Sequence, residues 1–167
     1  MTELHLFEIV ARIFGLFKTY FRFKQKLEQV DSGMRVYLFF PKYTVGGGER
    51  VHVDILKSIH DLNPVCFIEQ YVGEKGFFQE FDRYAALFFT NEVRKNFVTR
   101  RMAFKLIASI INGQANAVVF GCDSRFYYQL IPFLHDHVRV IDLFHAFVDR
   151  GKGAENWSLP LASRINQ

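Results

Sequence analysis

Arg35-Val36-Tyr37-Leu38-Phe39-Phe40-Pro41-Lys42-Tyr43-Thr44-Val45-Gly46-Gly47-Gly48-Glu49-Arg50 is the stretch that decides the fold. Residues 35–40 form a short apolar run rich in aromatic residues, the composition of a buried strand. From Glu49 the period changes. Val51, Ile55, Leu56, Ile59 and Leu62 recur at three- and four-residue spacing, which marks an amphipathic helix. The three glycines between strand and helix permit a sharp turn and let a ligand approach the backbone amides. Amides at a helix N-terminus lack intrahelical acceptors and sit at the positive end of the dipole, which favours phosphate or another anion. Gly46, Gly47, Gly48 and Glu49 are therefore the expected ligand-facing residues. The plainer alternative is a tight strand-to-helix turn. Glu49-Arg50 stands where a P-loop needs Lys-Ser/Thr, and the spacing is not the G-x-G-x-x-G of dinucleotide binders.

Outward from this stretch the same alternation repeats. Val65 to Ile68 reads as a second strand after the Asn63-Pro64 turn, Tyr84 to Thr90 as a third, Ala117 to Phe120 as a fourth and Val138 to Leu143 as a fifth. Between the third and fourth, Asn91 is a plausible cap for a helix running to about Ile111. Arg94, Arg101 and Lys105 fall on one face of that helix. Asp123 or Ser124 can cap another helix, to about Leu134. Strands alternating with helices imply a parallel sheet covered on both faces: an α/β, Rossmann-like domain of about five or more strands. Ligands of such sheets sit beyond the C-terminal strand ends, the edge that carries both the glycine loop and the segment after Asp142.

Residues 1–30 precede this domain. On a helical wheel Leu6, Phe7, Ile9, Val10, Ile13, Phe14, Leu16, Phe17, Tyr20 and Phe21 fill a broad apolar arc, with Lys18 and Arg22 in the narrow remainder. Its longest apolar run, Ile13 to Phe17, is far short of a membrane span, and the segment is not a typical signal peptide. It reads as an amphipathic helix that packs either on protein or in a membrane interface.

A 167-residue chain that is half hydrophobic, with twenty Phe, can bury a sizeable core and is not disordered. The net charge of +4 is unevenly placed. No acid falls between Val93 and Cys122, and Lys18, Arg22, Arg94, Arg101 and Lys105 are the residues expected to meet an anionic membrane surface. Nucleic acid would suit the same charges, but no recognition motif or aromatic-basic interleaving supports it. Cys66 and Cys122 lie in strands without C-x-x-C spacing, as buried reduced thiols of a cytosolic protein do. His135 and His137 flank Asp136 without a further ligand in suitable spacing, so no metal site is expected.

The order of strand, G-G-G-E-R and apolar helix resembles the start of the retaining GT-B glycosyltransferases, in particular glycosyltransferase family four, whose first strand leads into a G-G-x-E loop. The resemblance extends through the α/β pattern to about Gln167 and covers only the N-terminal half of such an enzyme. It implies that residues 34–167 are the acceptor-side domain of an enzyme moving a sugar from a nucleotide donor to a glycan or lipid-linked acceptor, without a cofactor. The glycine loop would hold substrate or the donor phosphate. His145, three residues after Asp142, matches a catalytic histidine that faces the cleft near the transferred sugar. The donor domain of the family, with its Arg/Lys pair and two glutamates seven residues apart, is missing from these residues, so the chain alone is expected to be inactive. The implied location is cytoplasmic, peripheral on the cytoplasmic membrane face. The alternatives from other classes are a self-sufficient phosphate-binding module and a membrane-surface adaptor on a Rossmann-like scaffold.

Overall fold

Alternating side chains of the first strand divide the molecule into two cores. The computed structural model describes residues 3–30, 33 and 35–143, with side chains from residue 14 onward. Strand β1 (Val36–Phe40) turns Tyr37 and Phe39 to one face of the sheet and Leu38 and Phe40 to the other. This follows from the two-residue period of a strand. Helix α2 (Gly47–Ser58) returns the chain to β2 (Val65–Ile68), and α3 (Phe78–Tyr84) returns it to β3 (Ala86–Phe89). Helix α4 (Phe97–Asn112) then carries it back past β1 to β4 (Val118–Cys122), and α5 (Arg125–Leu130) leads to β5 (Arg139–Leu143). The five strands are parallel in the order β3-β2-β1-β4-β5. This is the Rossmann-like sheet that the sequence pattern implies, with helices on both faces.

Val53 and Leu56 of α2 and Phe81 of α3 close the core over Leu38, Phe40, Cys66 and Ile68. Ala103, Phe104, Ile107 and Ile111 of α4, with Phe126 and Leu130 of α5, close the other over Phe39, Phe67 and Val119. Phe39 and Phe67 stack with ring centroids 4.7 Å apart. Burying a side chain of this size contributes roughly 1.5–3 kcal/mol. The reversal of strand order places the topological switch between β1 and β4.

Several boundaries differ from the sequence expectation. Phe78 to Tyr84 is a helix, so the third strand begins at Ala86 rather than Tyr84. The helix expected from Asn91 begins at Phe97, because Asn96, not Asn91, accepts a hydrogen bond from Val98 N and caps it. Arg94 therefore precedes α4. Ser124, one of the two expected caps, caps α5, but the helix ends at Leu130 rather than about Leu134 and gives way to a 3-10 turn at Ile131–Phe133 where Pro132 interrupts it.

Helix α1 (Glu3–Glu28) lies ahead of the sheet. Its Phe23 and Leu27 enter the core beside α4, and Lys26 Nζ donates to the Leu87 carbonyl of edge strand β3 at 2.9 Å. A lysine at that position also blocks the edge from pairing with another strand. Phe14, Phe17 and Phe21 of the expected apolar arc remain exposed, and the residues that enter the core lie beyond that arc. Among the described residues no helix is long and apolar enough to cross a membrane.

Candidate functional site

Pro41 to Gly46 leaves β1 at the C-terminal edge, and Tyr43 fixes its course. The Tyr43 ring is fully buried, its hydroxyl donates to the Gly73 carbonyl at 2.7 Å and accepts from Val72 N at 3.0 Å, and its own carbonyl accepts from Phe77 N. Burial raises its phenol pKa, so the hydroxyl stays protonated and able to donate. Gly73 and Gly76 turn with φ of +81° and +63°, and a Cβ at Gly76 would lie 2.8 Å from the Tyr43 carbonyl oxygen. One tyrosine thus ties the loop after β1 to the loop after β2.

The glycine run opens α2 as expected. Gly46 is the N-cap in extended backbone, and Gly47, Gly48 and Glu49 form the first turn. Arg50 N bonds back to the Gly46 carbonyl, which leaves the amides of residues 47–49 outside the intrahelical ladder. None of these glycines has positive φ. Their role is space. A Cβ on Gly46 would run into the Glu49 carboxylate, whereas a Cβ on Gly47 would meet nothing. The Glu49 side chain, 14% exposed, folds back over Gly46, with Thr44 Oγ1 at 3.4 Å and Lys42 Nζ at 3.7 Å from its Oε1. An internal carboxylate therefore already sits at the positive end of α2. Arg50 turns along the helix to Asp54 and over the Phe77 ring, away from the loop.

At the end of β5, Asp142 accepts hydrogen bonds from Tyr128 Oη at 2.9 and 3.1 Å. Burial pushes its carboxyl up to about 6, only partly offset by the Tyr128 hydrogen bond. The thiol of Cys122 is pushed up to about 12, by burial first and then by the charges of Asp123, Asp142 and Glu49. Burial likewise holds Cys66 well above its usual range. Both cysteines are free and buried, and neither is a thiolate nucleophile. Carboxylates from three segments, the loop after β4, strand β5 and the first turn of α2, thus act on the end of β4.

The end of β2 differs. Glu69, 7% exposed, accepts from Ser124 Oγ at 2.7 Å and Phe126 N at 2.9 Å through Oε1, and from Arg94 Nη1 at 3.3 Å through Oε2. It joins the loops after β2, β3 and β4. Glu69 is not among the residues expected from the sequence, where its available signal is a carboxylate directly after a four-residue apolar strand. Of the three residues expected on one helix face, Arg94 precedes α4 and leaves it, while Arg101 and Lys105, four residues apart on α4, both lie beside Phe133. Arg94 turns to Glu69, Arg101 lies over the Phe133 ring, and Lys105 lines a shallow groove of about 440 Å³ with Asn112, Phe133 and His135. Lys18 and Arg22 are exposed on α1. His145 lies outside the described residues. His135 and His137 have ring centroids 5.8 Å apart, and among the described residues no three His, Cys, Asp or Glu side chains gather as metal ligands.

No family model, curated protein or solved structure matches this chain.

Proposed function

We propose that the chain is the acceptor-side half of a glycosyltransferase that moves a sugar from a nucleotide donor to a glycan or lipid-linked acceptor. The observation that carries this reading is the first turn of α2: without side chains at Gly47 and Gly48, open at Gly47, and set beside the switch point of the sheet. The resemblance of the strand and G-G-G-E-R loop to family-four glycosyltransferases supports the same assignment. Glu49 refines it. Backbone amides that donate, next to a carboxylate that accepts, suit a sugar hydroxyl, which needs both. A phosphate at that point would have to lie against Glu49. The role of the loop is to position a hydroxyl-bearing substrate, the kind of contribution from which oriented reactions gain most. Saturation-transfer NMR of the purified chain with mono- and oligosaccharides, with and without nucleotide sugars, tests this. Carbohydrate signals that respond to the protein support it, and a panel without any response removes it.

A second reading concerns where the domain works. Phe14 is 71% and Phe21 58% exposed, and with Phe17 they form a stripe that leaves the core. On the wheel this stripe lies roughly opposite Phe23 and Leu27, flanked by Lys18 and Arg22. Exposed aromatic rings beside cations are the composition of a helix lying in an anionic membrane interface. We infer that α1 holds the domain there, the cytoplasmic peripheral location its resemblance implies.

A further inference from the structure

We propose that the cavity between Glu69, Arg94, Arg100, Arg125, Phe126 and Gln129 binds a phosphate group. This does not depend on the glycosyl-transfer reading, because it rests on a different cluster of residues.

Three guanidiniums from three segments line one opening: Arg94 after β3, Arg100 in the first turns of α4, and Arg125 at the start of α5. One carboxylate, Glu69, shares the cavity. Both of its oxygens are already engaged, Oε1 by Ser124 and Phe126 N and Oε2 by Arg94. Glu69 therefore fixes Arg94 and offsets its charge, and leaves two positive charges without an acid. Among the described residues no carboxylate lies within ion-pair distance of Arg100 or Arg125, and Arg100 has only the Phe97 ring beneath it, at 5.9 Å. Two unmatched guanidiniums complement a phosphate dianion in charge. Their planar donor forks match its oxygens in geometry.

Size narrows the ligand. The cavity holds about 100 Å³, against roughly 300–1,000 Å³ for sites that enclose a drug-sized molecule. It takes a phosphate group and not the nucleoside or chain attached to it, which must project into solvent. The rim is polar, with Gln129 as a further donor. Free phosphate esters and the phosphate of a lipid headgroup share this chemistry.

The test begins with inorganic phosphate titrated into the ¹⁵N-labelled chain while the arginine side-chain Nε–H signals are followed. Saturable shifts at Arg100 and Arg125 are expected in the native chain, and in R100Q/R125Q the signals that remain, Arg94 Nε–H and the backbone amides of the cavity, should report binding weakened about tenfold or more. The control R101Q/K105Q removes the same charge outside the cavity and should bind as the native chain does. Two further arms identify the source: glycerol 3-phosphate, and vesicles of phosphatidylcholine with phosphatidic acid. Loss of the soluble ester in R100Q/R125Q assigns a free phosphate, and loss of the vesicles alone assigns a headgroup. Should the double variant unfold, the single variant R125Q, at an exposed position, replaces it. No shift at either arginine, with vesicle binding unchanged in R100Q/R125Q, overturns the proposal, since α1 would then hold the vesicles by itself. So does an equal loss in R101Q/K105Q, which would mean diffuse attraction to a basic surface.

Discussion

Asp142 carries the clearest pH signature among the described residues. Its folded value of about 6 lies above the ordinary 3.8 because the carboxyl is partly buried. Between those values the folded chain holds a proton that the unfolded chain has released. The associated stability is fully present below 3.8 and falls as pH rises through about 6. Asp142→Asn keeps an acceptor for Tyr128 and removes the buried charge. In chemical denaturation the variant should be more stable than the native chain at neutral pH, and the difference should vanish in acid. A constant difference at all pH values would show that Asp142 acts through packing alone. The glycines separate in a similar way. Gly47→Ala meets open space and restricts the unfolded chain, so it should stabilise by roughly 0.4–1 kcal/mol. Gly46→Ala must displace the Glu49 carboxylate and should give no such gain. Urea midpoints of the two variants decide it.

At the scale of elements, α1 packs one side on the core and leaves Phe14, Phe17 and Phe21 exposed on another, the side proposed to meet a membrane. Phe23 is in the core, against the Phe88 ring at 6.3 Å, so Phe23→Ala should cost roughly 3–5 kcal/mol of stability. Replacing Phe14, Phe17 and Phe21 together by Ser should leave the melting temperature nearly unchanged and abolish sedimentation with anionic vesicles. Salt should weaken the native interaction through screening of Lys18 and Arg22. Native protein that stays in the supernatant at low salt would show that the stripe has another occupant. The sequence makes this helix legible but not its division. The apolar arc read from the sequence stops at Phe21, and the two residues that enter the core, Phe23 and Leu27, lie beyond it, where only the position of α4 selects them. The strands were legible because each is a short apolar run between turn residues. The start of α4 was not, because Asn91 and Asn96 are both acceptable caps and only the turn from Thr90 to Arg94 selects the second. That five-residue shift moves Arg94 from a helix face to the side of Glu69. Glu69 itself escaped notice because its partners, Ser124 and Phe126, lie more than fifty residues away.

For the whole molecule, the parallel sheet with its switch at β1 and β4 presents one edge with two chemistries. Carboxylates surround the end of β4, and guanidiniums surround the end of β2. Both were placed by topology, which the alternation of strands and helices in the sequence predicts. Their charges were not, since they depend on loop side chains that meet only after folding. On the proposed reading this edge is one wall of a cleft. The chain should therefore neither transfer nor hydrolyse a nucleotide sugar by itself, because a second domain is needed to close over the substrates. A panel of labelled nucleotide sugars with the purified chain checks this, and turnover would mean that the site is complete within residues 1–167. The central claim, that the opening of α2 is a carbohydrate site, is tested most directly by amide chemical shifts during titration with oligosaccharides. The account predicts concerted, saturable shifts at Gly47 and Gly48 that Gly47→Val abolishes while the remaining spectrum keeps its folded dispersion. Gly47 and Gly48 signals that stay fixed while amides elsewhere respond would contradict it.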